Sequence, residues 1–136
     1  MRLLNANRVE YLLVGGYAVG LHGYPRATVD LDVWVGATPG NAQRVLASLR
    51  EFGFDLPALE SRLFTDPRSI VRLGVAPFRI EVMTSIDGVE FEACRARAVE
   101  FEVDDVRVPV ISLADLKVNK RAAGRHKDLA DLENLP

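Results

Sequence analysis

Asp30 and Asp32 are the residues of this chain with the most chemistry to offer, set two apart in Val29-Asp30-Leu31-Asp32-Val33-Trp34-Val35. Side chains alternate faces along a strand, so Val29, Leu31, Val33 and Val35 would point one way and Asp30, Asp32 and Trp34 the other. The two carboxylates then lie about 7 Å apart at Cα, twice the strand rise. Oxygens from both can hold a divalent cation between them, and without one the like charges repel and raise one pKa. Such a pair suits a hard metal that also takes phosphate ligands. A passive strand with a polar solvent face alternates in the same way. Asp is nevertheless among the residues least suited to strands, and two on one short strand need a reason.

Upstream, Tyr11-Leu12-Leu13-Val14 is an apolar, β-prone run that stops at Gly15-Gly16, and Tyr17-Ala18-Val19-Gly20-Leu21-His22-Gly23 could continue as a short helix. In a strand, glycine pair, helix layout the backbone N–H groups at the helix start can cradle a phosphate. A tight turn explains the glycines equally well. Tyr24-Pro25-Arg26-Ala27-Thr28 then supplies a polar turn with a fixed positive charge directly before the aspartates.

Gly15-Gly16, a spacer, then Asp30-Leu31-Asp32 resembles the signature of the DNA polymerase β-like nucleotidyltransferase superfamily, in which a Gly-Gly or Gly-Ser pair precedes an acidic-apolar-acidic triplet. The fuller string Gly-Gly-Tyr-Ala…Arg-Ala-Thr-Val-Asp-Leu-Asp looks most like the minimal bacterial members, including the abortive-infection toxin branch. That family carries a third carboxylate between apolar residues on a later strand. Phe78-Arg79-Ile80-Glu81-Val82-Met83 offers Glu81 in that setting, where many relatives have Asp. The closing segment Ser112 to Leu132 is similar to the final helices of the same relatives, with Lys120 and the string Gly124-Arg125-His126-Lys127-Asp128-Leu129-Ala130-Asp131 as the matching elements. The resemblance runs from about Val9 to Leu132.

The resemblance implies transfer of a nucleoside monophosphate from a nucleoside triphosphate to a hydroxyl. Asp30, Asp32 and Glu81 would be the catalytic and metal-binding residues, with Mg²⁺ or Mn²⁺ as cofactor. Gly15, Gly16, Arg26, Thr28, Lys120, Arg125 and Lys127 would meet the nucleotide. Plainer readings stand beside each of these. Glu81 would serve equally as a surface strand residue paired with Arg79 or Arg72, and Arg26 as a solvated loop residue or a brace for the acidic strand. On a helix Lys117, Lys120 and Arg121 share a flank that could be a solvated face, and Lys127 could pair with Asp131 four residues on.

The chain has 136 residues, 49% hydrophobic and 26% charged, which is enough for one domain, residues 1–136, with a single core. A net charge of -2 gives no global attraction to nucleic acid, so any such binding needs a local patch, and Lys117 to Lys127 is the dense basic run. The single cysteine, Cys94, excludes an internal disulfide, and with His22 and His126 it has no zinc spacing. No uninterrupted apolar run reaches membrane-spanning length and no secretory pattern opens the chain, so a soluble, cytoplasmic protein without membrane association is expected.

The pattern predicts a helix at Arg2 to Ala6, a strand at Tyr11 to Val14, a helix at Tyr17 to Leu21 and the carboxylate strand at Val29 to Val35. Thr38-Pro39 opens a helix as N-cap and first residue, Ala42, Val45, Leu46, Leu49 and Phe52 recur as its core stripe, and Gly53 ends it. Phe54 to Arg68 reads as an irregular connection. Strands follow at Ser69 to Gly74 and Phe78 to Thr84, separated by Val75-Ala76-Pro77, then a helix at Val89 to Ala98. A hairpin, Val99 to Val103 with Val106 to Val110, turns at Asp104-Asp105. Ser112 caps a helix that Gly124 ends, and a last helix runs from His126 or Lys127 to about Asn134. These elements make a single-domain α/β fold, a mixed parallel and antiparallel sheet flanked by helices, of nucleotidyltransferase-like type.

The acceptor hydroxyl could belong to RNA, a protein or a small molecule. A toxin–antitoxin setting, with a cognate antitoxin or toxin as partner, suits the resemblance. A catalytically inactive nucleotide- or protein-binding module is the rival. An aminoglycoside-modifying enzyme is disfavoured, because such enzymes usually carry an additional substrate-binding domain and 136 residues leave little room for one.

Overall fold

The computed structural model describes residues 1–28, 30–75 and 77–136. Val29 and Ala76, which the sequence puts in the carboxylate strand and in the break between two strands, lie outside the described residues. Six strands form one mixed sheet in the order β3-β4-β2-β1-β6-β5: β1 (Tyr11–Val14), β2 (Asp30–Val35), β3 (Ile70–Val75), β4 (Phe78–Met83), β5 (Val99–Val103) and β6 (Val106–Val110). β1 runs antiparallel to β2 and parallel to β6, and β2 runs parallel to β4. The fold is the α/β arrangement that the alternating elements predict.

β1 is buried at every residue, as a central strand covered on both faces must be. The face of the sheet carrying Leu31, Val33, Val35, Ile80 and Val82 packs under α1 (Arg2–Ala6) and α3 (Pro39–Phe52), a layer to which Val45 and Leu49 contribute. α3 begins as expected, with the Thr38 hydroxyl accepting from the Asn41 amide and Pro39 in the first turn. Its last apolar residue departs from expectation. Phe52 is 63% exposed and stacks on Phe54 instead of entering the core. At the helix end Phe52 borders an apolar groove that Leu31, Val33, Ile80 and Val82 also line.

Four other elements differ in extent: β3 starts at Ile70 and takes in Val75, expected in the break, and β4 ends at Met83, one residue early. α2 (Gly15–Leu21) begins at the first glycine, two residues earlier than the side-chain pattern suggests. α4 (Phe91–Ala96) is shorter than predicted, because Ile86 and Val89 bridge across the Asp87-Gly88 turn and keep Val89 out of the helix. The connection before β3 contains a 3-10 turn, Ser61–Phe64, that buries Phe64. α5 (Leu113–Ala123) is capped by Ser112 and stops at Gly124, whose φ of 64° is left-handed, and α6 (His126–Asn134) folds back against α5. Among the described residues no helix is long and apolar enough to cross a membrane.

Candidate active site

Strand register assembles the acidic residues. Asp32 lies opposite Glu81 across the parallel β2–β4 pair, and Asp30 lies opposite Arg79. On the other side of β4, Arg72 of β3 lies opposite Glu81. One rung of the sheet thus reads Arg72, Glu81, Asp32, and the next rung on the same face carries Arg79 and Asp30. All of these side chains share the face opposite α1 and α3. Carboxylate oxygens of Asp30, Asp32 and Glu81 come within 4.8 Å of one another.

The three carboxylates have different surroundings. Asp30 accepts from Arg79 Nε at 2.7 Å, and Glu81 accepts from Arg72 Nε at 2.9 Å. Asp32 has no such partner, and its Oδ1 is buried without a hydrogen bond. Burial, then the charges of Glu81 and Asp30, push its pKa up to about 6. A buried anionic oxygen among anions is a costly arrangement that a cation relieves. Three hard oxygen donors converging on one spot, with Asp32 Oδ1 buried and unpartnered among them, fit a divalent metal.

The glycine turn is shaped by the same aspartate. A Cβ on Gly15, whose φ is +67°, would sit 2.0 Å from Asp32 Oδ2, and one on Gly16 would sit 2.6 Å from the Thr28 hydroxyl. The pair of glycines therefore lets the end of β1 and the start of α2 close onto the acidic strand. Only a residue without a side chain fits both the backbone angle and the gap at Gly15.

The C-terminal cations divide into a buried core and an exposed rim. Lys120 is 4% exposed, with Nζ 3.1 Å from both Asp128 and Asp131. Arg26 clasps Asp131 through two bonds, at 2.7 and 2.9 Å. Arg125 reaches Asp128 at 2.7 Å while its side chain stays mostly exposed. Burial works to raise both carboxyl pKa values, yet the cations around Asp128 and Asp131 hold them below the ordinary range. The plainer reading of a solvated flank through Lys120 does not hold, because α6 folds over that residue. The pair expected between Lys127 and Asp131 is likewise replaced, since Asp131 is taken by Arg26 and Lys120. Lys127 is exposed and makes no ion pair among the described residues, and its charge acts on Asp32.

All ten residues singled out from the sequence line one cleft of about 1090 Å³. The cleft also takes in residues that the sequence left unassigned, notably Arg68, Ile70, Asp87 and Asn119. Arg68 and Ile70 were legible only through the hairpin register that swings β3 alongside β4.

Residues 1–135 match the model of a family described as "Nucleotidyltransferase of unknown function (DUF6036)". The chain belongs to that family. This nucleotidyltransferase is similar in structure to a "putative nucleotidyltransferase" from Thermotoga maritima, with 17% identity over 97% of this chain and 84% of that one and a TM-score of 0.66. It is also similar to the lincosamide antibiotic adenylyltransferase LnuA in its lincomycin-bound form, with 17% identity over 98% and 89% of the two chains and a TM-score of 0.63. At that identity the likeness is one of fold. No curated protein matches the chain.

Proposed function

We propose that this nucleotidyltransferase moves a nucleoside monophosphate from a nucleoside triphosphate to a hydroxyl, with Asp30, Asp32 and Glu81 holding Mg²⁺ or Mn²⁺ against the triphosphate. The observation that carries the reading is the convergence of three carboxylates from β2 and β4 on one point, with Asp32 Oδ1 buried and unpartnered. A divalent cation held there supplies charge neutralisation for the triphosphate and the developing negative charge. Such transfer depends on positioning and electrostatics far more than on covalent help. The Gly15-Gly16 turn brings backbone against the acidic strand, and Lys127 and Arg125 offer exposed cations to the phosphates from the opposite rim. Lys120 and Arg26 act through Asp128 and Asp131, holding α6 and the turn before β2 in register. Glu81 stands beside Asp32 to receive the hydroxyl proton.

This is the chemistry of the DNA polymerase β-like superfamily, whose Gly-Gly and Asp-Leu-Asp elements the chain carries in order. The acceptor would be RNA, protein or a small molecule, and a toxin–antitoxin pairing would fit the first two. LnuA is an adenylyltransferase of an antibiotic and is nearly spanned by this chain, so small size is no bar to a drug acceptor.

The test is incubation with each α-labelled triphosphate, Mg²⁺ or Mn²⁺, and total cellular RNA and protein. Divalent-dependent labelling that Asp32→Asn abolishes is expected. Tight, metal-dependent triphosphate binding with no labelling of any fraction would instead identify an inactive nucleotide-binding module.

A further inference from the structure

The cleft has a second basic wall, apart from the cations of α5 and α6. Its lining includes seven Lys and Arg residues against four Asp and Glu, in a chain whose net charge is -2. Some of that excess lies on the far side of the carboxylates from Lys127, on β3 and the bend before it. There Arg68, Ile70 and Arg72 line the cleft at alternate positions. The Arg68 side chain makes no ion pair or hydrogen bond among the described residues, its backbone amide donating to Asp66. Ile70 is 54% exposed between the two arginines. Arg72 reaches Glu81 with one nitrogen at 2.9 Å, and its side chain stays 62% exposed.

Exposed guanidinium groups flanking an exposed apolar side chain suit a ligand that alternates anion and flat apolar surface. Guanidinium forks match phosphate oxygens, and an exposed apolar side chain offers a surface on which a base can pack. The same wall repels a cationic drug. The cleft volume, about 1090 Å³, stands at the upper end of the range of about 300–1,000 Å³ usual for a small-ligand site.

We infer that the Arg68–Ile70–Arg72 wall is the acceptor subsite and that the acceptor is a single-stranded polynucleotide, held by its phosphates and presenting a terminal hydroxyl to the carboxylates. The inference rests on the nucleotidyl-transfer reading. In the step it serves, the strand's hydroxyl oxygen bonds to the α-phosphorus while the bond from that phosphorus to the pyrophosphate oxygen breaks. Pyrophosphate leaves with the electron pair, and the hydroxyl proton passes to Glu81.

Two measurements on the full chain test it. The first is fluorescence anisotropy of a labelled single-stranded RNA and the DNA of the same sequence, without triphosphate, over a range of salt. Binding that weakens with salt is expected, with Arg68→Ala about tenfold weaker for loss of a charge-assisted contact. Metal-dependent binding of a fluorescent triphosphate should be the same in Arg68→Ala and the natural protein. The inference is overturned if neither strand binds, if Arg68→Ala and Ile70→Ser bind strands as tightly as the natural protein, or if Arg68→Ala loses the triphosphate as well. The second is the fate of α-label in an extract, where label confined to protein or small molecules would also overturn it. Arg68-dependent strand binding with no label transfer supports the wall as a polynucleotide site and strikes at the transfer reading alone.

Discussion

Arg26 holds Asp131 in a two-pronged grip, Nε to Oδ1 at 2.7 Å and Nη2 to Oδ2 at 2.9 Å, across 105 positions of sequence. The grip ties the turn before the carboxylate strand to the last helix, and Lys120 sits beneath it touching Asp131 and Asp128. Buried ion pairs of this kind are weak evidence for net stability, but removing one partner strands the other charge in a dry site.

Asp131→Ala should therefore lose about 3–5 kcal/mol of unfolding free energy, since it leaves Lys120 buried and short of an anion. Arg125→Ala removes a mostly exposed partner of Asp128 and should lose about 1 kcal/mol or less. Urea denaturation of the two variants measures the contrast. Equal losses would show that burial does not separate the core of this network from its rim.

Lys127→Ala separates nucleotide contact from folding. Its side chain is exposed and makes no ion pair among the described residues, while its charge acts on Asp32. Triphosphate affinity should fall about tenfold, the value of one charge-assisted contact, with the melting temperature unchanged. Lys120→Ala, by contrast, should lower the melting temperature first. Titration of a fluorescent triphosphate alongside thermal melts distinguishes the two lysines.

Gly15→Ala should damage stability and activity together. The left-handed φ of +67° costs a side chain about 1–2 kcal/mol, and the added carbon meets Asp32 Oδ2 at 2.0 Å. Either Asp32 moves away from Asp30 and Glu81 or the turn opens. A drop in melting temperature with reduced Mn²⁺ affinity is expected, and a variant indistinguishable from the natural protein in both would remove the glycine from the account.

The pH dependence of the metal-free protein follows from opposed shifts. Asp32 has a folded pKa of about 6 against an ordinary 3.8, so between those values the folded state binds more protons than the unfolded one. Stability then rises as pH falls from neutral through that window. Asp128 and Asp131 are held below the ordinary value, so their contribution is lost at lower pH still, as they protonate. A maximum near roughly pH 4–5 is expected for metal-free protein. Asp32→Asn should be more stable than the natural protein at neutral pH and should lose the rise on the neutral side. Denaturation curves across pH, with chelator present, test both signs.

Local chemistry was the legible part of this fold. The ranges of α1, β1, α3 and the β5–β6 hairpin follow from caps, glycines and period, because those signals act over a few residues. The placement of Glu81 beside Asp32 needed only the resemblance and the alternation of β4. What escaped the sequence depends on distant partners. Nothing near Lys120 says that α6 will fold over it, and nothing near Asp131 says that Arg26 will arrive to replace Lys127. Phe52 fits the helical stripe yet stays exposed, stacked on Phe54. Ile70, and Arg68 just before it, join the cleft because β3 pairs with β4, a long-range fact that no local run of residues records.

The most direct measurement is calorimetric titration of Mn²⁺, with a non-hydrolysable triphosphate present, into the natural protein, Asp32→Asn and Glu81→Gln. Mn²⁺ binding by the natural protein is expected, with a loss of at least about tenfold in each folded variant, because each removes a charged oxygen donor. Mn²⁺ affinities equal across all three would contradict it.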